Sequence, residues 1–465
     1  MKKYIGCLLC FWGFTNVLFS QVDYQSKFQK ILGDDLLKNS EAGISVYDLT
    51  ADSFLYSYQS NKRYRPASVE KLITTITAVA RLGGQHEFNT SLAVDGEVKN
   101  DTLHGNLFVI GGFDPDFMMD EMNQLAKQVE SKNIKHITGK IYSDVSMVDS
   151  TLYYGSGWSW DDALYDFQPV LSPLMFHKGW VTVTAYPASK KGEPASINIY
   201  PESSYNEVEN NAITDYKKHF SVTRDAAHVQ SKFIVSGGVS SRQVRTITVA
   251  DSKTFFVRTF VDHLREKGVD SVAYGGDRVT PVSSDTIFSV GHTLAEVIHR
   301  ALKVSDNLNA ESIFYHLAAS GKCGKYADAT DGREVINKFI DELGMDHKDY
   351  NIVDGSGVSL YDYISPDLLI RFLKYAYNNK ILREVIYPSL PVAGVDGTLK
   401  NRMKNGNVYS NVHAKTGTVT GVSSLAGYLQ TVQGHMLAFV IINQNNLNER
   451  RAHQFQDRIC RMLTE

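Results

Sequence analysis

Between Val69 and Ala80 the apolar side chains Val69, Leu72, Ile73, Ile76, Val79 and Ala80 recur at three- and four-residue spacings. They share one helical face, and that face has to be buried. Gly83-Gly84 supplies a C-terminal stop. The helix opens from Arg65-Pro66-Ala67-Ser68-Val69-Glu70-Lys71, so Ser68 falls in its first turn and Lys71 lies one turn above it on the same face. A hydroxyl beside an amine in apolar surroundings is a candidate nucleophile, because burial lowers a lysine pKa and leaves a neutral amine to take the hydroxyl proton. Taken alone, the pair favours an N-capping serine and a surface lysine, because both residues are common. It is, however, the only S-x-x-K in the chain of 465 residues.

The length suggests roughly three domains. Hydrophobic content of 43% and charged content of 21% are those of a soluble globular protein, and the net charge of -3 points to neither nucleic acid nor an anionic membrane. Residues 1–20 read as a cleaved secretory signal: Lys2-Lys3, an apolar run from Ile5 to Leu18, and Ser20 before Gln21. The mature protein is therefore expected in the periplasm. Only Cys323 and Cys460 would remain, too few for a disulfide framework, although one bridge between them stays open.

Short β-rich runs at Glu41–Asp48 and Ser53–Tyr58 flank a turn before the Ser68 helix. From about Ser91 the texture changes to short strands with Gly, Asp and Asn turns. This β-rich insertion, 93–286, is large enough for two subdomains. Helical character returns at Thr293–Leu302, Leu308–Ala319, Arg333–Leu343 and Pro366–Tyr377. Strands at Val412–Val419, Ser423–Val432 and His435–Asn443 precede a final amphipathic helix at Asn448–Leu463. The expected class is α+β. Two N-terminal and three C-terminal strands make one antiparallel five-stranded sheet covered by helices, so that 21–92 and 287–465 form a single discontinuous domain.

Two further motifs carry chemistry. Ser305-Asp306-Asn307 sits in a short loop between two apolar helices, where Ser305 and Asn307 can face one cleft. Lys415-Thr416-Gly417-Thr418 lies on an expected strand, with Lys415 projecting beside a glycine that leaves room for a ligand. A helix cap and a solvated edge lysine are the structural readings of each alone. The order Ser-x-x-Lys, Ser-x-Asn, Lys-Thr-Gly is that of penicillin-binding proteins and serine β-lactamases.

The likeness extends to Gly111-Gly112-x-Asp114-Pro115, Gly157-Trp158-x-Trp160-Asp161-Asp162, Asp354-Gly355-Ser356-Gly357, Leu390 to Leu399, and Ala414 to Tyr428. Over nearly the whole mature chain these segments resemble the low-molecular-mass class C penicillin-binding proteins. Those are the D-alanyl-D-alanine carboxypeptidase/endopeptidases of the peptidase S13 family, penicillin-binding protein 4 type. The resemblance implies a transpeptidase/β-lactamase-like domain interrupted by two nested domains. It implies that Ser68 is acylated with Lys71 as base, that the N–H groups of Ser68 and Thr418 form an oxyanion hole, and that Ser305 and Lys415 relay a proton to the leaving amine. Asn307 would bond the acyl-side amide, and Lys415 with Thr416 and Thr418 would hold the terminal carboxylate, beside Gly417. Asp144 matches a family aspartate thought to bind the diaminopimelate side chain, and a turn role fits it as well. The arginine that relatives often carry after Gly-x-Ser is absent from Gly357-Val358-Ser359-Leu360-Tyr361. Implied partners are peptidoglycan stem peptides and β-lactams, with room for loose membrane association and a homo-oligomer.

A β-lactamase would be shorter and would need a dedicated deacylating base. A silent wall-binding scaffold would not need three intact motifs. With no G-x-S-x-G, no H-E-x-x-H and no phosphate loop, the reading expects no cofactor and no catalytic metal. Trp158 and Trp160 are expected to pack between domains.

Overall fold

The computed structural model describes residues 24–217, 219–224, 232–270, 273–322 and 326–465. The expected signal at 1–20 and Cys323 lie outside them. Cys460 is buried with a free thiol.

The two ends of the chain meet in one antiparallel sheet of five strands, in the order His413–Val419, Val422–Gln430, Met436–Gln444, Glu41–Asp48, Ser53–Tyr58. Glu41 faces Gln444 and Asp48 faces Leu437, so the seam between the termini lies at the middle of the sheet. The strand Met436–Gln444 is apolar almost throughout because both of its faces are covered. Successive side chains point to opposite faces. Ala438, Val440 and Ile442 enter a core with Leu72, Ile76 and Leu369, whereas Leu437, Phe439 and Ile441 pack with Phe28, Phe455 and Ile459 of the two terminal helices, Tyr24–Leu32 and Glu449–Leu463.

The helix carrying the first motif is buried from Lys71 to Val79, its polar residues included, and ends at Gly83, whose φ of 79° lies in the region open to glycine. Its regular part starts later than the periodicity suggests. Ala67–Glu70 forms a 3-10 turn and the α-helix runs Lys71–Leu82. Ala67 at φ 51° sets the tight entry, and a 3-10 turn at a helix N-terminus carries Ser68 close to the sheet.

Strand Glu87–Val94 leads away from this domain and Asp285–Thr293 leads back, paired antiparallel from Glu87↔Thr293 to Val94↔Asp285. They form one edge of a second five-stranded sheet with Leu107–Ile110, Ile141–Asp144 and Tyr274–Asp277. Two three-stranded sheets are inserted after Ile141–Asp144 and before the helix Ser252–Glu266. The region has its own hydrophobic core, built on residues such as Leu107, Phe117, Phe176 and Phe256.

Candidate active site

Ser68, Lys71, Ser305, Asn307 and Lys415, separated by hundreds of residues in the chain, meet where the Lys71 helix, the Ser305 loop and the His413–Val419 strand converge. Lys71 Nζ lies 2.9 Å from Ser68 Oγ, 2.7 Å from Asn307 Oδ1 and 2.8 Å from the Ser356 carbonyl oxygen. The last two are acceptors only, so they take two N–H groups and leave the third direction to the serine hydroxyl. Burial pushes the Lys71 pKa down to about 8, against the pull of Asp354, Glu311, Asp306 and Glu70. At that value a neutral amine is accessible near neutral pH, within hydrogen-bond distance of Ser68 Oγ.

Across the same cavity Lys415 Nζ donates to Ser305 Oγ at 2.8 Å and to the Thr416 carbonyl at 2.8 Å. Burial, then the charge of Lys71, holds Lys415 well below the usual lysine range. Thr416 Oγ1 bonds Thr398 Oγ1 at 2.7 Å. Gly417 has a steric reason: a Cβ there would sit 3.0 Å from Ser68 N, 3.0 Å from the Pro66 carbonyl and 2.2 Å from Ser424 Oγ. Only a glycine lets the strand lie this close to the Ser68 backbone. The cavity, about 270 Å³, is lined by Ser68, Ser305, Thr398, Arg402, Thr416, Thr418, Glu449 and His453.

Asp144 is not brought to this cavity. Its carboxylate accepts the N–H groups of Ser146 at 3.0 Å and Thr280 at 2.7 Å, a turn-closing arrangement. Burial opposes its charge, but these hydrogen bonds outweigh burial and lower its pKa. It lines a separate cavity of about 440 Å³ beside Tyr153, Lys253 and Arg278.

The insertion reaches the site by other groups. The Phe167 carbonyl accepts from Asn307 Nδ2 at 2.8 Å, fixing that amide with its oxygen toward Lys71. Lys178, buried at φ 59°, places Nζ 2.5 Å from Asp116 Oδ1, 2.6 Å from Asn309 Oδ1 and 3.0 Å from Asp306 Oδ2. Arg300 Nε joins Asp306 at 2.8 Å. Burial alone would raise the Asp306 pKa; Lys178 and Arg300 overcome it and hold the carboxyl at about 2. The middle residue of Ser305-Asp306-Asn307 is thus the anchor that sets its two neighbours, with Ser305 itself at φ 65°. The sequence reading misses Lys178. Its only signal is a lone charge in the apolar passage from Val170 to Val181.

Trp158 Nε1 donates to Asp354 Oδ2 at 2.8 Å and so ties the insertion to the Asp354–Gly357 loop, as expected of a packing residue. Trp160 differs: it is 87% exposed and packs little.

The sequence profile of the D-Ala-D-Ala carboxypeptidase 3 (S13) family matches residues 24–465. The chain belongs to that family. Among its relatives, a D-alanyl-D-alanine carboxypeptidase of an Actinomadura species is 28% identical over 437 residues, covering 90% of this chain and 80% of the relative. The crystal structure of penicillin binding protein 4 from Haemophilus influenzae superposes with a TM-score of 0.81 at 23% identity, covering 93% of this chain and 97% of that one. The same protein complexed with a β-lactam gives a TM-score of 0.75 at 22% identity. In this S13 member, the shared fold is the five-stranded sheet with helices and the additional β-rich sheets.

Proposed function

We propose that this chain is a serine D,D-peptidase of peptidoglycan, which hydrolyses D-Ala-D-Ala termini and D-Ala-diaminopimelate cross-links through a Ser68 acyl-enzyme. The observation that carries the reading is the 2.9 Å contact between Lys71 Nζ and Ser68 Oγ, facing the Lys415–Ser305 pair across one cavity. Ser68 Oγ attacks the carbonyl of the penultimate D-alanine as Lys71 takes its proton. The N–H groups of Ser68 and Thr418 receive the oxyanion, each worth ~3 kcal/mol in the transition state. Ser305, bonded to Lys415, hands a proton to the leaving amine. Asn307 bonds the acyl-side amide, and Thr416, Thr418 and Lys415 receive the terminal carboxylate where Gly417 leaves space. Water then frees the enzyme. A β-lactam enters the same path and leaves a slowly hydrolysed acyl-enzyme.

Asp144 has no substrate contact in this reading. The division into a catalytic part, 21–92 with 287–465, and an insertion, 93–286, has the support of separate sheets, although the paired strands Glu87–Val94 and Asp285–Thr293 belong wholly to the insertion's sheet, so its edges fall just outside those bounds. We place the reaction in the periplasm, where its substrate is. Among the described residues no helix is long and apolar enough to cross a membrane.

Incubation with purified cross-linked and uncross-linked muropeptides, followed by mass analysis, tests the activity. Both should be cut. Release of D-alanine alone would remove the endopeptidase part, and cleavage of neither would overturn the enzyme reading.

Lys178 gives a second expectation. Lys178→Met removes a buried cation from the half-buried carboxylates Asp116 and Asp306, leaving them Arg300 and Asn309, and breaking into a buried charge network in this way costs up to ~3–5 kcal/mol. The melting temperature should fall. At a temperature where the variant is still folded, acylation by a fluorescent penicillin should slow by ~10–100-fold, as the general-acid loop loosens. Lys178→Arg should recover much of both. Normal acylation in folded Lys178→Met would show that the loop does not depend on this anchor.

A further inference from the structure

A second cluster of ionisable groups lies beside Lys71 and takes no part in the steps above. Glu70, Asp354 and Asp362 are each buried to within 1% of full enclosure, and each places a carboxylate oxygen within 4.8 Å of the others. Their supply of donors is very uneven. Asp354 is well furnished: Oδ1 accepts from the N–H groups of Ser356 and Gly357, and Oδ2 from Ser359 N–H and Trp158 Nε1. Asp362 Oδ1 accepts the Val353 N–H at 2.8 Å. Asp362 Oδ2 and both oxygens of Glu70 have no donor at all. Lys71 does not supply one, since its three contacts go to Ser68, Asn307 and Ser356.

Three carboxylates so close and so short of donors are not all ionised, because each negative charge raises the cost of the next and burial takes them out of bulk solvent. A carboxylic acid, unlike a carboxylate, brings its own donor. One proton on Glu70 and one on Asp362 therefore give two hydrogen bonds in series, Glu70 to Asp362 and Asp362 to Asp354. The series ends on the one carboxylate that four N–H groups already stabilise.

We propose that Glu70 and Asp362 are held as neutral carboxylic acids in a hydrogen-bonded chain ending on the Asp354 carboxylate, and that this neutrality keeps Lys71 available as a base. The proposal rests on the assignment of Lys71 as the base. Glu70 and Asp362 are positioning residues in this scheme, acting through Lys71. Burial, followed by the charge of Asp354, pushes both well above the ordinary carboxyl range. The titratable groups facing Lys71 are Asp354, Glu311, Asp306, Glu70 and Lys415; Glu311, whose Oε1 accepts the Gly355 N–H at 3.1 Å, is itself raised to about 8 by burial and then by Asp354. Two further ionised carboxyls here would hold Lys71 as an ammonium with no lone pair to offer Ser68.

Infrared spectroscopy of the whole protein reads the protons directly. At pH 7 the wild type should show the C=O stretch of buried carboxylic acids. Glu70→Gln and Asp362→Asn should each remove part of that band, and the double variant, whose amide pair keeps one donor between the two side chains, should remove more. The rate of acylation by a fluorescent penicillin should keep the position of its acid limb in Glu70→Gln, because a neutral group replaces a neutral group. Absence of the band, or a band that both variants leave intact, overturns the proposal. So does a shift of the limb by a unit or more toward low pH, which would mean that an anion had been removed. A stoichiometric metal ion in the purified protein, lost in Glu70→Gln, would also overturn it, since the carboxylates would then be ligands. The wild-type band can be read even if a variant fails to fold. If no penicillin reacts, the assignment of Lys71 falls, while the infrared result still decides the carboxyl chain.

Discussion

Ser68→Ala should lose all covalent label from a fluorescent penicillin, and its turnover of a D-Ala-D-Ala peptide should drop by ~10⁴-fold or more, the scale of losing a nucleophile from an acyl-transfer site. The fold should not suffer. Ser68 is half-buried on a 3-10 turn, and Lys71 keeps Asn307 Oδ1 and the Ser356 carbonyl as partners when the hydroxyl goes. Melting should stay within ~1 kcal/mol of wild type. A competing nucleophile exists in the same cavity, since Ser305 Oγ is also bonded to a buried lysine. The two separate cleanly. Ser305→Ala should still take the label, more slowly, and mass analysis of the labelled peptide should find the adduct on Ser68. Label retained by Ser68→Ala and lost by Ser305→Ala would exchange their roles.

The sheet at the centre of the fold is legible because its strands obey a local rule. Val422–Gln430 and Met436–Gln444 are short, apolar and joined by a turn at Gly434. The pairing of Glu41–Asp48 with Met436–Gln444, across the whole chain, is not local. It is an expectation only because five strands with helices at both ends admit few closed arrangements. The helix Lys380–Ser389 has no counterpart in the sequence reading. It follows the helix Pro366–Asn378 with no glycine between them, and Asn379 both ends the first and caps the second. Leu382 and Ile386 do recur at helical spacing and are buried, but the segment is short and ends in Pro388-Ser389, so the period runs through few residues.

The site divides along a similar line. Ser68, Lys71, Ser305, Asn307, Lys415 and Gly417 are legible because each chemistry imposes a spacing: one helical turn for the hydroxyl and amine, alternate positions in a loop or strand for the rest. Lys178 has no such spacing to the Asp306 it anchors, because their contact is made by tertiary packing. Asp144 poses the opposite ambiguity. An aspartate at the end of a strand looks the same whether it waits for a ligand or closes a turn, and the choice rests on Thr280, 136 positions away. Glu70 adjoins the nucleophile's helix and reads as a first-turn acid on a helix surface. That it is fully buried beside Asp354 and Asp362 depends on the loop from Val353 to Asp362 folding over it.

Lys71→Arg should be nearly as inactive as Lys71→Met, a result that separates a base from a positive charge. A guanidinium stays protonated throughout the working range and cannot accept the Ser68 proton. If Lys71 served only as a cation orienting Asn307 and the Ser356 carbonyl, arginine would restore much of the rate. As a base, its loss should cost ~10²–10⁴-fold in acylation. The wild-type pH profile carries the same distinction. With the Lys71 pKa lowered to about 8, the neutral amine is the minor form at pH 7, and the acylation rate should climb as pH rises through that value. The sign for stability runs the same way. An unfolded lysine titrates near 10.5, so between about 8 and 10.5 the unfolded chain binds the extra proton. Stability contributed by this residue therefore increases with pH over that window. Both limbs should vanish in Lys71→Met, which fills the same space with no titrating group. An acylation rate that is flat with pH in the wild type, or an active and folded Lys71→Arg, would move the proton acceptor to another residue, for which Lys415, buried on the far side of the cavity, is the remaining amine.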